Sequence, residues 1–328
     1  MDDSQSEPVA SFPTELVMPL ASDAFELVGA DAPAYETNNG ALFACDALDL
    51  LASLPTGSVN LVVTSPPYAL HFKKEYGNAD QGRYADWLLP YCREIRRVLA
   101  DDGSFALNIG GAWTPGIPVR SLYQYRLLLR LVDEIGFHLA QELFWYNPAK
   151  MPTPAEWVNV RKIRIKDSVE FIWWLSKTPW PRADNDQVLL PYSPDMERLA
   201  RRGLKGTRRP SGHQIKASFA NVDRGGSTPP NLLGLHEGSN LIVRGNNASN
   251  DSYYRLSKLY GLPVHPARFP QAIPEFFVRL CTRGGDLVVD PFAGSNMTGY
   301  VAETLGRRWL GSEANADYAS ASQVRFFA

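Results

Sequence analysis

Five consecutive residues, Thr64, Ser65, Pro66, Pro67 and Tyr68, end an apolar run at 59–63 and carry the most specific chemistry in the chain. The two prolines fix two backbone angles and remove two N–H donors, so the turn presents carbonyl oxygens outward. Ser65 adds a hydroxyl acceptor beside the carbonyl of Pro66, and together they can accept both hydrogens of an aromatic amino group. Tyr68 offers a ring for stacking. Such acceptors hold an exocyclic amine and draw its lone pair out of conjugation, so that its nitrogen can attack an electrophilic methyl group. Taken alone, the same residues could be a stiff loop or a polyproline ligand. Their place at the carboxyl end of a buried strand, where open α/β sheets bind ligands, favours a site.

A second constellation runs from Asp290 through Pro291, Phe292, Ala293, Gly294, Ser295, Asn296 and Met297 to Thr298 and Gly299, between an apolar strand and a helix. Small residues there let backbone approach a ligand, and the helix start offers unpaired N–H groups. The spacing is not GxGxxG, so a dinucleotide pyrophosphate is not the obvious guest. Glu313 ends the following strand, where an acid can accept hydrogen bonds from ribose hydroxyls. A glycine turn alone often serves packing; turn and acid together point to a nucleoside.

A third feature is charge. The net charge is −2, and residues 1–72 contain no Lys or Arg, whereas Arg198, Arg201, Arg202, Lys205, Arg208, Arg209, Lys216 and Arg224 crowd one stretch. Such a stretch is either a solvated loop or a grip on a phosphate backbone.

These residues need elements to hold them. The spacing predicts a strand at 41–45, a helix carrying Leu48, Leu51 and Leu54, and a strand at 59–63 buried on both faces. A helix at 84–99 closes on a turn at Asp101, Asp102 and Gly103; a strand at 103–109 and a helix at 122–135 follow. Strands at 137–146 and 168–176 could form an antiparallel hairpin. From about 179 to 261 Gly, Pro, Asn, Ser and basic residues dominate, and periodicity is poor, which reads as an irregular inserted region or one that orders on a partner. Regular structure returns with a helix at 272–281, a strand at 287–289, a helix at 297–305 and a strand at 309–312. Strand alternating with helix on both sides of an insertion predicts a doubly wound α/β sheet.

With 328 residues, 45% hydrophobic and 21% charged, the chain can build a sizeable core. It contains no apolar run of about 18 residues, and its first residues lack the basic start and apolar stretch of a secretory signal. Cys45, Cys92 and Cys281 have no metal-ligand spacing and read as small buried hydrophobes, which fits a reducing cytoplasm. His138, His213 and His236 are scattered and are given no catalytic role.

The order of the motifs is informative: residues 64–68, then the basic stretch, then His265, Pro266, Ala267, Arg268, Phe269 and Pro270, then the turn at 290–299. It resembles the beta group of amino DNA methyltransferases of restriction–modification systems, and Ser65 with the 265–270 segment resembles the cytosine-N4 members. The resemblance covers about residues 40–178 and 262–326. It implies a Rossmann-like methyltransferase sheet, mostly parallel with an antiparallel late strand, carrying an irregular target-recognition region. Residues 1–37 would be a loosely ordered acidic arm, 38–178 with 262–328 the catalytic and cofactor-binding domain, and 179–261 the target-recognition region.

The same resemblance implies S-adenosylmethionine as cofactor, double-stranded DNA as partner and a flipped-out target base. It needs no metal and no enzyme nucleophile, and it suggests a cognate restriction endonuclease encoded nearby. Residue by residue, Ser65, Pro66, Pro67 and Tyr68 become the target-amine site. Asp290, Phe292, Gly294, Ser295, Asn296 and Thr298 become the methionine and backbone side of the cofactor pocket, and Glu313 the ribose acceptor. Asp46, with Ala47 beside it, matches the acidic position that meets the adenine amino group of the cofactor. His265 and Phe269 match the segment that closes over the methionine end, and Arg198, Arg201, Arg202, Lys205, Arg208, Arg209 and Lys216 lie where DNA is gripped. Many beta members carry an acid in place of Ser65 and methylate adenine, so N6-adenine methylation is the alternative. Amide methylation of a protein glutamine uses a similar loop, with Asn in place of Ser65 and the reverse motif order. A DNA-binding module with a degenerate pocket is the non-enzymatic reading.

Overall fold

The computed structural model describes residues 32–69, 79–148, 150–202, 207–208, 210, 214–215, 224–233, 251–268 and 270–327. The chain begins with β1 (Tyr35–Glu36), β2 (Gly40–Phe43), α1 (Ala47–Ser53), β3 (Val59–Thr64), α2 (Tyr84–Val98), β4 (Leu99–Ile109), α3 (Tyr123–Asp133), β5 (His138–Tyr146) and β6 (Val169–Ser176). There follow α4 (Pro194–Arg202), β7 (Thr207–Arg208), β8 (Gln214–Ile215), β9 (Leu232–Leu233) and α5 (Ser252–Leu259). The C-terminal part is α6 (Ala272–Cys281), β10 (Leu287–Asp290), α7 (Met297–Thr304), β11 (Arg308–Ser312) and α8 (Ala316–Ala321).

Nine strands form one sheet in the order β1-β2-β11-β10-β3-β4-β6-β5-β9, and β7 pairs with β8 apart from it. From β2 to β4 all neighbours are parallel. β6 lies antiparallel to both β4 and β5, which is the expected late hairpin. The reason for the apolar run in β3 is visible in its packing. Val59 and Val62 enter the core under α1, α2 and α3, alongside Leu50, Leu88 and Leu127. Leu61 and Val63 enter the opposite core, with Phe277 of α6 and Val301 of α7. A strand covered on both faces reads as a near-continuous apolar run, and its one interior polar residue, Asn60, is paired, accepting from Leu287 N at 2.9 Å. No described helix is long and apolar enough to cross a membrane.

The structure corrects several expected limits. The turn expected at Asp101–Gly103 is a bulge inside the long β4, where the register against β3 shifts. Its carbonyls stay paired: Thr178 Oγ1 donates to Asp101 O at 3.0 Å and Arg182 N to Asp102 O at 2.8 Å. Tyr35, expected in the acidic arm, is in the core, and its hydroxyl meets Ser322 Oγ at 2.7 Å and accepts from Asn296 Nδ2 at 2.8 Å; the rest of that arm, up to residue 31, lies outside the described residues. Within the inserted region, β9 joins the main sheet beside β5. Helix α5 packs against the C-terminus, with the Arg325 guanidinium 4.5 Å from the ring centroid of buried Tyr253. Helix α5 is thus tied to the C-terminal part of the chain, and Tyr253 Oη also accepts from His265 N at 3.1 Å.

Candidate active site

The sheet order sets the site. β10 and β3 are adjacent and parallel, yet the chain proceeds from β3 outward to β4 and from β10 outward to β11. A crevice opens at the carboxyl ends of strands where the order reverses. The two loops singled out in the sequence leave those two strands side by side, and Thr64 Oγ1 donates to Asp290 Oδ1 at 2.6 Å across the junction.

A cleft of about 500 Å³ occupies this position. Asp46, Ala47, Ser65, Pro66, Pro67, Tyr68, His265, Asp290, Phe292, Gly294 and Glu313 all line it. All but His265, which lies between α5 and α6, come from the ends of four neighbouring strands: Asp46 follows β2, Glu313 follows β11, Asp290 ends β10 and Ser65 follows β3. Three interstrand steps span roughly 14 Å, so the cleft offers three carboxylates in a row and then the Ser-Pro-Pro-Tyr turn.

Each acid is held differently. Asp46 caps α1 by accepting from Leu48 N at 2.8 Å, and it accepts from Tyr91 Oη at 3.4 Å. Glu313 accepts from Gly294 N at 3.1 Å and Asn315 N at 3.0 Å, which leaves lone pairs on both oxygens. Asp290 accepts from Thr64, from Thr298 Oγ1 at 2.6 Å and from Phe292 N at 3.1 Å. Burial outweighs those hydrogen bonds and pushes its carboxyl up to about 6. Gly294 has φ +54°, and a Cβ there would stand 3.1 Å from the His265 ring, so only glycine suits both the turn and the contact. His265 is buried, its imidazole pKa lowered by that burial, and its ring meets Tyr318 edge to face at 4.8 Å.

Three expected contact residues, Ser295, Asn296 and Thr298, do not line the cleft. Ser295 is turned into the fold, where its Oγ accepts from Arg325 at 2.9 Å. Asn296 is fully buried with φ 51°, caps α7 by accepting from Gly299 N at 3.0 Å, and donates to Tyr35. Thr298 is committed to Asp290. All three shape the turn after β10 because its polar groups have no water to meet. Phe269 lies outside the described residues.

At the other end of the cleft, Tyr68 Oη has one proton to share between Glu170 Oε2 at 2.9 Å and Asn108 Oδ1 at 3.0 Å, and lies 3.2 Å from Ser65 Oγ. Asn108 Nδ2 donates to Phe171 O at 3.0 Å, which orients the amide. Glu170 is buried and paired with Lys150 Nζ at 3.0 Å. Burial and the Glu170 charge hold the Tyr68 phenol well above its ordinary pKa, so it stays a donor. Gly110 lets an edge of the Tyr68 ring come close to the backbone, since a Cβ there would be 2.4 Å from it.

Sequence reasoning missed Asn108, Glu170 and Lys150, which sit inside apolar strands or an irregular segment with no motif around them. It also missed Trp87 and Tyr91, four residues apart on α2, which line the cleft with Phe292. Their ring centroids lie 5.9 Å and 5.2 Å from that of Phe292. A pair of aromatics at helical spacing within the expected helix at 84–99 was the available signal. The residues present fit an adenosine carrying a cationic amino-acid tail: aromatic rings for a base, Glu313 for vicinal hydroxyls and buried Asp290 for positive charge.

Of the basic residues, Arg198, Arg201 and Arg202 lie on the exposed helix α4. Arg198 pairs with Asp195, and Arg201 with Glu197 at 3.7 Å. The Arg208 side chain and all of Lys205, Arg209 and Lys216 lie outside the described residues.

A family model described as a DNA methylase matches residues 59–324. The type II methyltransferase M.PvuII of Proteus hauseri is 49% identical over 297 residues, covering 90% of this chain and 85% of that protein. The type II methyltransferase M.ScaI of Streptomyces caespitosus is 26% identical over 291 residues, 87% of this chain and 81% of that one. Among solved structures, a PvuII DNA methyltransferase described as cytosine-N4-specific superposes with a TM-score of 0.71 at 44% identity, over 90% of this chain and 88% of the other. A putative DNA modification methylase of Thermus thermophilus, solved with S-adenosyl-L-methionine, gives a TM-score of 0.51 at 24% identity over 87% and 92%, a likeness of fold.

Proposed function

This chain belongs to the DNA methylase family, and from that premise we propose that it methylates the N4 amine of a cytosine flipped out of duplex DNA. The observation that carries the reading is the alignment of four strand ends in one cleft, acids first and the Ser-Pro-Pro-Tyr turn last. S-adenosylmethionine, when bound, supplies an electrophilic methyl group.

The chain's own residues do the rest by positioning and by charge. Trp87, Tyr91 and Phe292 offer ring surface for the cofactor's base, Asp46 an acceptor for its amino group and Glu313 acceptors for its ribose. The Asp290 carboxylate faces the positive end. The flipped cytosine enters between the 65–68 turn and Glu170, where Ser65 Oγ and the Pro66 carbonyl accept the two hydrogens of its amine. Attack forms the N–C bond as the S–C bond breaks, and the nitrogen then sheds a proton. Ser65 Oγ, Tyr68 Oη and Glu170 Oε2 form a chain of oxygens that leads that proton away from the reacting atoms.

Serine in place of an acid at position 65, and the 44% identity to the PvuII methyltransferase described as cytosine-N4-specific, support cytosine over adenine. The type II designation of the relatives extends the proposal. The chain is the modification half of a restriction–modification system, it acts in the cytoplasm, and a restriction endonuclease of the same site specificity accompanies it. The exposed arginines of α4, with the rest of the 198–224 stretch, grip the duplex.

Single-turnover transfer of labelled methyl from S-adenosylmethionine to duplex DNA tests the amine site. Ser65→Ala should lower the rate constant while cofactor affinity by calorimetry stays near wild type, since its acceptor matters most as the amine gains positive charge. A Ser65→Ala protein with the wild-type rate would remove the turn from the reaction.

A further inference from the structure

β5 and β6 part at the mouth of the cleft. Trp145 and Glu170 are partners across the two strands, and both line the cleft. The connection between the strands therefore leaves and re-enters at that mouth, with Asn147 N donating to Ser168 O at 2.7 Å across its base. Residues 150–168 carry five cations, Lys150, Arg161, Lys162, Arg164 and Lys166, against two acids, Glu156 and Asp167. Both acids are already engaged: Glu156 pairs with Arg161 at 2.7 Å and Asp167 with Arg120. Lys150 turns inward to Glu170.

What remains is a positive strip in which every residue from 161 to 166 is exposed. Ile163 and Ile165 alternate with its cations and are 48% and 88% exposed. Lys162 adopts φ 57°, a left-handed conformation unusual for a lysine, just past Arg161, which caps a short π-helical turn at Glu156–Val160. The strip is anchored from behind, with Arg164 donating to Pro118 O at 2.8 Å and Lys166 to Pro148 O at 3.3 Å. Exposed isoleucines flanked by cations suit a surface that presents both negative charge and apolar faces. Duplex DNA presents phosphates and, between them, sugars.

We propose that residues 161–166 are a DNA-contact strip at the cleft mouth, separate from the 198–224 stretch. Lys162, Arg164 and Lys166 hold phosphates beside the flipped nucleotide, and Ile163 and Ile165 lie against the adjoining sugars. This rests on duplex DNA being the substrate.

The test is fluorescence anisotropy of the full-length protein with a labelled duplex fragment of plasmid DNA over a range of KCl concentrations. For Lys162→Ala/Arg164→Ala/Lys166→Ala, the slope of log Kd against log salt should be shallower by about three, roughly one per phosphate contact. S-adenosylmethionine affinity should be unchanged. Ile165→Ser should weaken binding at every salt concentration without changing the slope. Lys162→Gln, which breaks no anchoring bond, should lower the slope by about one and decides the matter if the triple variant fails to fold. Wild-type Kd and slope in the variants, from a wild type that binds and methylates DNA, would overturn the strip and leave the function intact. A wild type that neither binds nor methylates duplex DNA would overturn both.

Discussion

Tyr68 carries two roles that one atom separates. An edge of its ring lies close to the Gly110 backbone, while its hydroxyl joins Ser65, Asn108 and Glu170. From the sequence alone the ring is the whole of its use, and Phe is expected to keep much of the activity. With the structure, Tyr68→Phe should remove the one proton that buried Glu170 Oε2 and Asn108 Oδ1 share, at a cost of roughly 1–3 kcal/mol, up to about a hundredfold in single-turnover rate. An unchanged rate would reduce the oxygen chain to scenery. Asp290 makes a pH prediction. Its folded pKa of about 6 lies above the ordinary 3.8, so its stabilising contribution is full below about 4 and lost as pH rises through 6. The loss is on the order of 3 kcal/mol. Urea titrations should show wild type losing stability relative to Asp290→Asn across pH 4–6. Cofactor binding should tighten over the same window in wild type, because a cation favours the ionised carboxyl, and the Asn variant should flatten that trend. The placing of Ser65, Asp290 and Glu313 at strand ends around one cleft was legible from residue type and position. Asn108 and Glu170 were not, because a polar residue inside an apolar strand acquires meaning only from what the neighbouring strand places opposite it.

At the scale of elements, the junction of β10 and α7 decides whether the cleft exists. Asn296 holds it in a left-handed conformation while capping α7 and meeting Tyr35. Asn296→Ala should lose the cap and leave the Tyr35 hydroxyl short of a donor, about 1–3 kcal/mol by denaturant unfolding. Asn296→Gly should recover the part due to backbone strain and no more. Strands β3, β10 and β11 and helix α6 were readable because burial on both faces, or a helical period, leaves an unbroken apolar signature. β1 and β9, two residues each, were not readable, since pairing that short is decided by distant partners. The Asp101–Gly103 segment misled for a related reason: a turn-like triplet stays in a strand when the segment after β6 satisfies its carbonyls.

At the scale of the molecule, the motif order along the chain and the strand order across the sheet describe the same object. β3 and β10 are far apart in sequence and adjacent in space, which brings the turn at 65–68 beside the turn at 290–299. The order of motifs made that adjacency legible as a family resemblance; the position of α5 against the C-terminus, and the positive strip between β5 and β6, were hidden because neither carries a motif. The acidic row along the cleft also sets an expectation for ionic strength. Methyl transfer should fall steeply with salt through DNA binding, while affinity for the cofactor, held in the cleft, should change little between low and physiological salt. Equal salt dependence of the two would mean that the cleft is open to the duplex along its whole length. The central claim concerns the atom that is methylated. Unmodified plasmid DNA incubated with the protein and S-adenosylmethionine, digested to nucleosides and analysed by mass spectrometry, should yield N4-methyldeoxycytidine that accumulates with time and is lost with Ser65→Ala. N6-methyldeoxyadenosine in its place, or no methylated nucleoside at all, would contradict the account.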